Sequence, residues 1–114
     1  MAIVYDKLLA LKFPDVEHKY TDKDTMLYAL GVGMGADPMN LSELPFVYEN
    51  GLRVMPTQAT VIAWGAGKTH AIGINYMMVV HGEQKRVVHK PLPDTGAMVA
   101  DWAVTHILDK GPGK

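Results

Sequence analysis

The sequence predicts a small α+β domain, and three stretches carry that prediction. "YTDKDTMLYALGVG", residues 20–33, opens with a helix-capping pattern and closes on glycines. "EQKRVVHK", residues 83–90, is strand-like. "AMVADWAVTHILD", residues 97–109, alternates so that Met98, Ala100, Trp102, Val104, His106 and Leu108 share one side.

In chain order the helix comes first. Thr21 is a good N-cap, and Asp24 three residues on has capping-box spacing and sits near the positive end of the helix dipole. Met26, Leu27 and Leu30 are expected to form its apolar face, and Gly31, Gly33 and Gly35 to end it. "GVGMGA" also fits a loose G-x-G-x-x-G/A, but a dinucleotide fingerprint needs a strand before it and a helix after it, the reverse of the order here. "LPFVYENG" reads as a short strand ending in a turn at Asn50-Gly51. In "VMPTQATVIAWG" Pro56 suits the first turn of a second helix, which Gly65 stops. "INYMMVV" is apolar without clear period, and "PLPDTG" is a loop.

"GAGKTH", residues 65–70, resembles the end of a phosphate-binding loop. The full pattern G-x-x-x-x-G-K-[ST] needs a glycine where Ile62 stands, and a long helix should follow rather than "AIGINYMMVV". A loop with a solvated lysine is the simpler reading.

The chain has 114 residues, enough for one domain with its own core, and its 48% hydrophobic and 20% charged content is near the globular average. It contains no cysteine, which excludes a disulfide scaffold, a zinc ribbon and a thiol nucleophile. With 11 basic and 12 acidic residues and a formal charge of −1, no basic patch points to nucleic acid. "MAIVYDKLL" lacks the features of a signal peptide, and no apolar run reaches the length of a membrane span. The expectation is a soluble intracellular protein. His18, His70, His81, His89 and His106 show no metal-ligand spacing. Asp15-Val16-Glu17-His18 reads as a solvated loop before the helix cap. Most of the eight methionines read as core packing.

The strand expected from Ala97 to Leu108 runs into the turn residues "DKGPGK" rather than into a hairpin partner. Either another chain covers the resulting edge, or the sequence is a fragment of something longer. Both edges of residues 97–108 are therefore expected to be paired in the native assembly.

Four blocks together carry a family resemblance: "YTDKDTMLYALGVG", "LPFVYENG", "MPTQATVIAWG" and, above all, "VVHGEQKRVVHKPLPDTG". In this order they resemble the N-terminal half of the MaoC-like hydratases, more narrowly hydratase 2, the (R)-specific enoyl-CoA hydratase. The resemblance covers nearly the whole chain. It implies a hot-dog fold, an antiparallel sheet wrapped around a central helix, with residues 1–114 as a partial N-terminal unit. It also implies a CoA thioester as substrate and no resident cofactor. "GPGK" is not a peroxisomal address, so the default expectation is the bacterial cytoplasm, or the peroxisome in a eukaryote.

Family members carry a second, catalytic unit with a motif close to G-D-x-N-P-[LIV]-H, which is absent from this chain. Asp37-Pro38-Met39-Asn40 is not that motif, and the nearest downstream histidine is His70. Water addition to an enoyl thioester needs a base for water, an acid for the α-carbon and donors for the enolate oxygen. No catalytic residue is therefore expected here. The catalytic Asp and His would come from a second polypeptide or segment, in a homo- or hetero-oligomer.

Glu83 is expected to support activity from a buried position, with His81, Gly82 and Gln84 beside it. Gly82 allows close backbone approach. Met55 and Val61 are the expected residues of an acyl pocket. Alternatives from other classes are a hot-dog module that binds an acyl thioester or a partner without chemistry, and a single-unit thioesterase with Glu83 as base.

Overall fold

The computed structural model describes residues 4–64 and 73–112. The phosphate-loop candidate at residues 65–70 lies outside them. Four regular elements occur in the described residues: helix α1 (Tyr5–Leu9), strand β1 (Val16–Tyr20), helix α2 (Asp22–Gly31) and strand β2 (Gly96–Ala100). Single 3-10 turns at Leu44–Phe46, Pro56–Thr60 and Tyr76–Met78 punctuate the long connection between α2 and β2. The result is an α+β chain, a two-stranded antiparallel sheet with a helix, consistent with a hot-dog N-terminal half. The Cα radius of gyration is 18.1 Å, whereas a compact chain of this length has about 13 Å. None of the described helices is long and apolar enough to cross a membrane.

The capping box forms as expected. Thr21 N–H donates to Asp24 Oδ2 at 2.8 Å, and Asp24 N–H donates back to Thr21 Oγ1 at 3.4 Å. The two Thr21 hydrogen bonds, backbone first, hold the Asp24 carboxyl below its ordinary value. A carboxylate whose folded value is depressed stabilises the fold fully above its unfolded value, and that contribution is lost as pH falls through the folded value. The melting temperature should therefore decline below about pH 4, and Asp24→Asn should remove part of that decline. An identical acid profile for the variant would show the cap to be unlinked to stability.

The buried face of α2 is not Met26, Leu27 and Leu30. Leu27 and Leu30 are 64% and 54% exposed, whereas Thr25 and Ala29 are fully buried. Thr25 and Ala29 stand four residues apart on one face, and their small side chains let other segments approach the helix closely. The Thr25 hydroxyl donates to the Asp94 carbonyl at 2.8 Å and accepts from Gln58 Nε2 at 3.3 Å. Gly33 and Gly35 then terminate the helix at φ +96° and +77°, a region open to glycine at little cost.

The strand expected in "LPFVYENG" is a turn. Phe46 and Val47 N–H groups donate to the carbonyls three residues back, Glu43 and Leu44, so they are not free to join a ladder. The turn at Gly51 does form, at φ +73°, and Arg53 N–H closes it onto the Pro45 carbonyl at 2.7 Å. The second helix shortens to the 3-10 turn Pro56–Thr60, with Pro56 at its start. Its β-branched threonines disfavour further helix, and Thr60 donates to the Thr57 carbonyl at 2.8 Å.

Asp15-Val16-Glu17-His18 is not a loop, because Val16 to His18 belong to β1. The strand alternates, with Val16 and His18 half-buried and Tyr20 buried, while Glu17 and Lys19 are exposed. It pairs with β2 in the register Val16–Ala100, His18–Met98 and Tyr20–Gly96. β2 keeps the expected alternation but ends at Ala100, so residues 101–108 are not a strand. Alternating burial continues through Trp102 and Val104, then reverses at exposed His106 and half-buried Ile107. Among the described residues β1 is the only partner of β2, so pairing on both edges is not seen. Residues 83–89 likewise form no ladder and lie exposed.

Tyr20, Ile62 and Ala63 form the core cluster, with Leu92, Met98 and Ala100 packed against it. Gly96 is required by its position opposite Tyr20. A Cβ there would stand 3.0 Å from Tyr20 Cε1 and 3.1 Å from Cζ and the phenol oxygen. The ring cannot move aside freely, because its hydroxyl donates to the Pro93 carbonyl at 2.7 Å. Gly96→Ala should cost about 1–3 kcal/mol by overpacking, measured by urea unfolding. Unchanged stability would mean that the strands separate easily.

Candidate functional site

Two clefts concentrate the chemically capable side chains. The smaller, about 330 Å³, is lined by Trp64, His81, Glu83, Gln84, Lys85, Arg86 and Trp102. Its floor comes from three separate parts of the chain. The segment 81–86 supplies the polar wall, and the two indoles stand on either side of it in sequence.

Arg86 anchors that wall. Its Nη2 donates to the Thr60 carbonyl at 3.1 Å, tying the segment to the 3-10 turn. The Gln84 amide is oriented with its oxygen toward Arg86 and its nitrogen toward His81. The oxygen accepts from Arg86 Nε at 3.0 Å and from Nη2, and the nitrogen donates to His81 Nε2 at 3.3 Å. The indole nitrogen of Trp102 is buried and meets no acceptor among the described residues.

The expected residues His81, Glu83 and Gln84 thus line one cleft. Glu83 is exposed, not buried, because the segment that bears it has no ladder partner to cover it. Gly82 belongs to the segment without lining the cleft, and a Cβ there would meet open space, so close backbone approach does not explain it. Trp64, Arg86 and Trp102 were not anticipated as members. The signal for Arg86 was its spacing two residues beyond Gln84 on an extended segment. Nothing local points to the tryptophans.

The larger cleft, about 590 Å³, is lined by Leu52, Arg53, Val54, Pro56 and, from the other side, Val88, His89, Lys90, Pro91 and Leu92. Met55 and Val61 line neither cleft. Met55 is half-buried immediately before the 3-10 turn, and Val61, immediately after it, is 49% exposed. Among the described residues no three histidine or carboxylate groups converge as a metal site.

The match to known families is specific. Residues 18–114 match the family described as the MFE-2 hydratase 2 N-terminal domain. The mouse (Mus musculus) peroxisomal multifunctional enzyme type 2 is 34% identical over 90% of this chain and 15% of its own length. The enoyl-CoA hydratase ChsH3 of Mycobacterium tuberculosis is 36% identical over 97% of this chain and 41% of its own length. The peroxisomal enoyl-CoA hydratase 2 of Arabidopsis thaliana is 34% identical over 93% and 37%. The chain therefore spans less than half the length of each of these relatives.

Proposed function

This chain belongs to the family of MFE-2 hydratase 2 N-terminal domains, and from that premise we propose that it is the acyl-binding, non-catalytic half of an (R)-specific 2-enoyl-CoA hydratase. The reaction is the reversible addition of water to trans-2-enoyl-CoA, with hydroxyl entering at C3 and a proton at C2 to give the (3R)-hydroxyacyl-CoA. The observation that carries the reading is a family match across residues 18–114 in a sequence that lacks the G-D-x-N-P-x-H motif. A segment or chain with that motif supplies the Asp and His.

The tryptophan cleft supports an acyl-binding role. Trp64 and Trp102 offer large apolar surface, and burial of an acyl chain against it gains about 25 cal/mol per Å². The free Trp102 N–H suits an acceptor such as a thioester carbonyl or an amide of the carrier arm. Water must be kept from the reacting carbons except for the one molecule that adds, and aromatic surface beside them serves that end.

Exposed apolar side chains favour a partner seated on the chain. Leu27, Leu41, Met39 and Val99 are all more than half exposed. Such surface, on a chain more expanded than its length requires, is what a second hydratase unit would cover. The same observation also supports the second reading, a hot-dog module that binds a partner without chemistry.

The experiment is hydration of decenoyl-CoA. The isolated chain should turn over far below about one per second, and addition of a unit bearing the missing motif should restore turnover. In the assembled enzyme Glu83→Ala should lower kcat strongly and Glu83→Gln less, since the amide keeps shape and some hydrogen bonding. Normal turnover by the isolated chain would overturn the division of labour. No turnover with the added unit would favour the binding module.

A further inference from the structure

We propose that Arg86 is a positioning residue: its guanidinium fixes the polar wall of the tryptophan cleft and, through Gln84, orients His81. Residues 77–91 are exposed throughout, and none of them joins a ladder. Among the described residues one hydrogen bond ties residues 80–92 to another part of the chain. It runs from Arg86 Nη2 to the Thr60 carbonyl at 3.1 Å. An extended segment without ladder bonds keeps its backbone freedom unless a side chain restricts it. Arg86 is the side chain that does so here.

The far end of this tether is itself held. Thr60 ends the 3-10 turn Pro56–Thr60. Gln58 in that turn is 2% exposed and donates to the Thr25 hydroxyl of α2 at 3.3 Å. The N–H groups of Val61 and Ile62 both donate to the Gln58 carbonyl, at 3.0 and 3.2 Å. The acceptor for Arg86 is therefore fixed to the helix. Beyond the wall the chain is pinned again, where the Tyr20 and Thr25 hydroxyls donate to the Pro93 and Asp94 carbonyls at 2.7 and 2.8 Å. Where residues 81–86 lie is set by the Arg86 bond.

The near end orients the side chains. The guanidinium that reaches Thr60 also donates to the Gln84 side-chain oxygen, from Nε at 3.0 Å and from Nη2, and this turns the Gln84 nitrogen onto His81 Nε2 at 3.3 Å. Gln84 and Arg86 stand two apart on an extended segment and project to one side. A planar fork grips two oxygens at fixed angles, so one group sets both the backbone position and the amide orientation. Both acceptors are neutral. Glu83 lines the same cleft, yet the one ion pair among the described residues is Lys19–Glu17. Arg86 thus places the wall without neutralising the Glu83 carboxylate. The anchoring stands on these bonds, and its bearing on catalysis rests on the function proposed above.

NMR of the full protein and kinetics of the assembled enzyme test the proposal. In the parent the backbone amides of residues 83–86 should have order parameters of about 0.8, and Arg86→Met should bring them below about 0.6. The ring-nitrogen shifts of His81 should move alike in Arg86→Met and Gln84→Ala, whereas only Arg86→Met should loosen the backbone. Arg86 is exposed, so the melting temperature of its variant should stay within a degree or two of the parent, about what surface substitutions cause. In the assembled enzyme Arg86→Met should lower kcat about tenfold while KM changes less than about threefold, because groups at the cleft are misplaced rather than removed. Parent-like order parameters in Arg86→Met, or a His81 signal that responds to Gln84→Ala alone, would overturn the positioning role. A wall loosened by Arg86→Met in a protein that hydrates no enoyl thioester would keep that role and remove the hydratase reading. Hydration at the parent kcat by Arg86→Met, with unchanged His81 signals, would do the reverse.

Discussion

Replacement of Tyr20 by alanine should destabilise the chain by about 3–5 kcal/mol, the range for loss of a buried aromatic side chain. Tyr20 is 4% exposed and joins both strands to the segment beyond Pro56, packing with Ile62 and Ala63 while Leu92, Met98 and Ala100 surround the cluster. The described core has few other large side chains, so little remains to fill the space. Tyr20→Phe should cost about 1 kcal/mol, since it removes only the hydrogen bond to the Pro93 carbonyl. Urea unfolding of both variants gives the two values. A loss below about 1 kcal/mol for alanine would show that the core is organised around another residue.

The same side chain has a signature at high pH. Burial, and then the nearby Asp94 carboxylate, raise the Tyr20 phenol above its ordinary value of 10.0. Because the folded value is raised, the contribution is complete below the unfolded value and is lost as pH rises through the folded one. Stability should therefore fall in the alkaline range above pH 10, and Tyr20→Phe should remove that part of the decline.

The second large effect is expected at Thr25. Valine has nearly the same shape but cannot donate to the Asp94 carbonyl or accept from Gln58. Gln58 is 2% exposed, and its Oε1 already lacks a partner among the described residues. Thr25→Val should therefore cost about 2–3 kcal/mol, the desolvation of groups left unpaired. The double variant Thr25→Val with Gln58→Leu should recover part of the loss, because an apolar pair replaces both partners together. Additive losses in that cycle would mean that the two side chains do not act as one network.

The two clefts differ in how far they could be read in advance. His81, Glu83 and Gln84 were accessible through the family resemblance, because one continuous segment bears all three. The tryptophans that complete their cleft are 38 residues apart in the chain, at 64 and 102. No local pattern encodes such an approach. The larger cleft joins residues 52–56 to 88–92. Its apolar and basic residues were present in the sequence, but the cleft itself emerged only when the two segments faced each other.

What the sequence determined alone was local chemistry. Thr21 and Asp24 cap α2 whatever surrounds them, because the bonds span three residues. Gly51 turns the chain because a positive φ suits it, and Pro56 starts its turn because its own ring sets φ. Tertiary structure decided what each segment faces. "DVEHKY" became a strand because Val16–Tyr20 found residues 96–100, about eighty positions away, and polar residues alternate on a half-exposed sheet as well as they lie in a loop. "EQKRVVHK" found no such neighbour and formed no ladder, despite its strand-like composition. The face of α2 was decided by close packing, since Thr25 and Ala29 admit the Asp94 carbonyl and Gln58 where Leu27 and Leu30 would hold them away. Backbone hydrogen bonds within a turn need no distant partner, while a ladder and a core exist only where another segment supplies the other half.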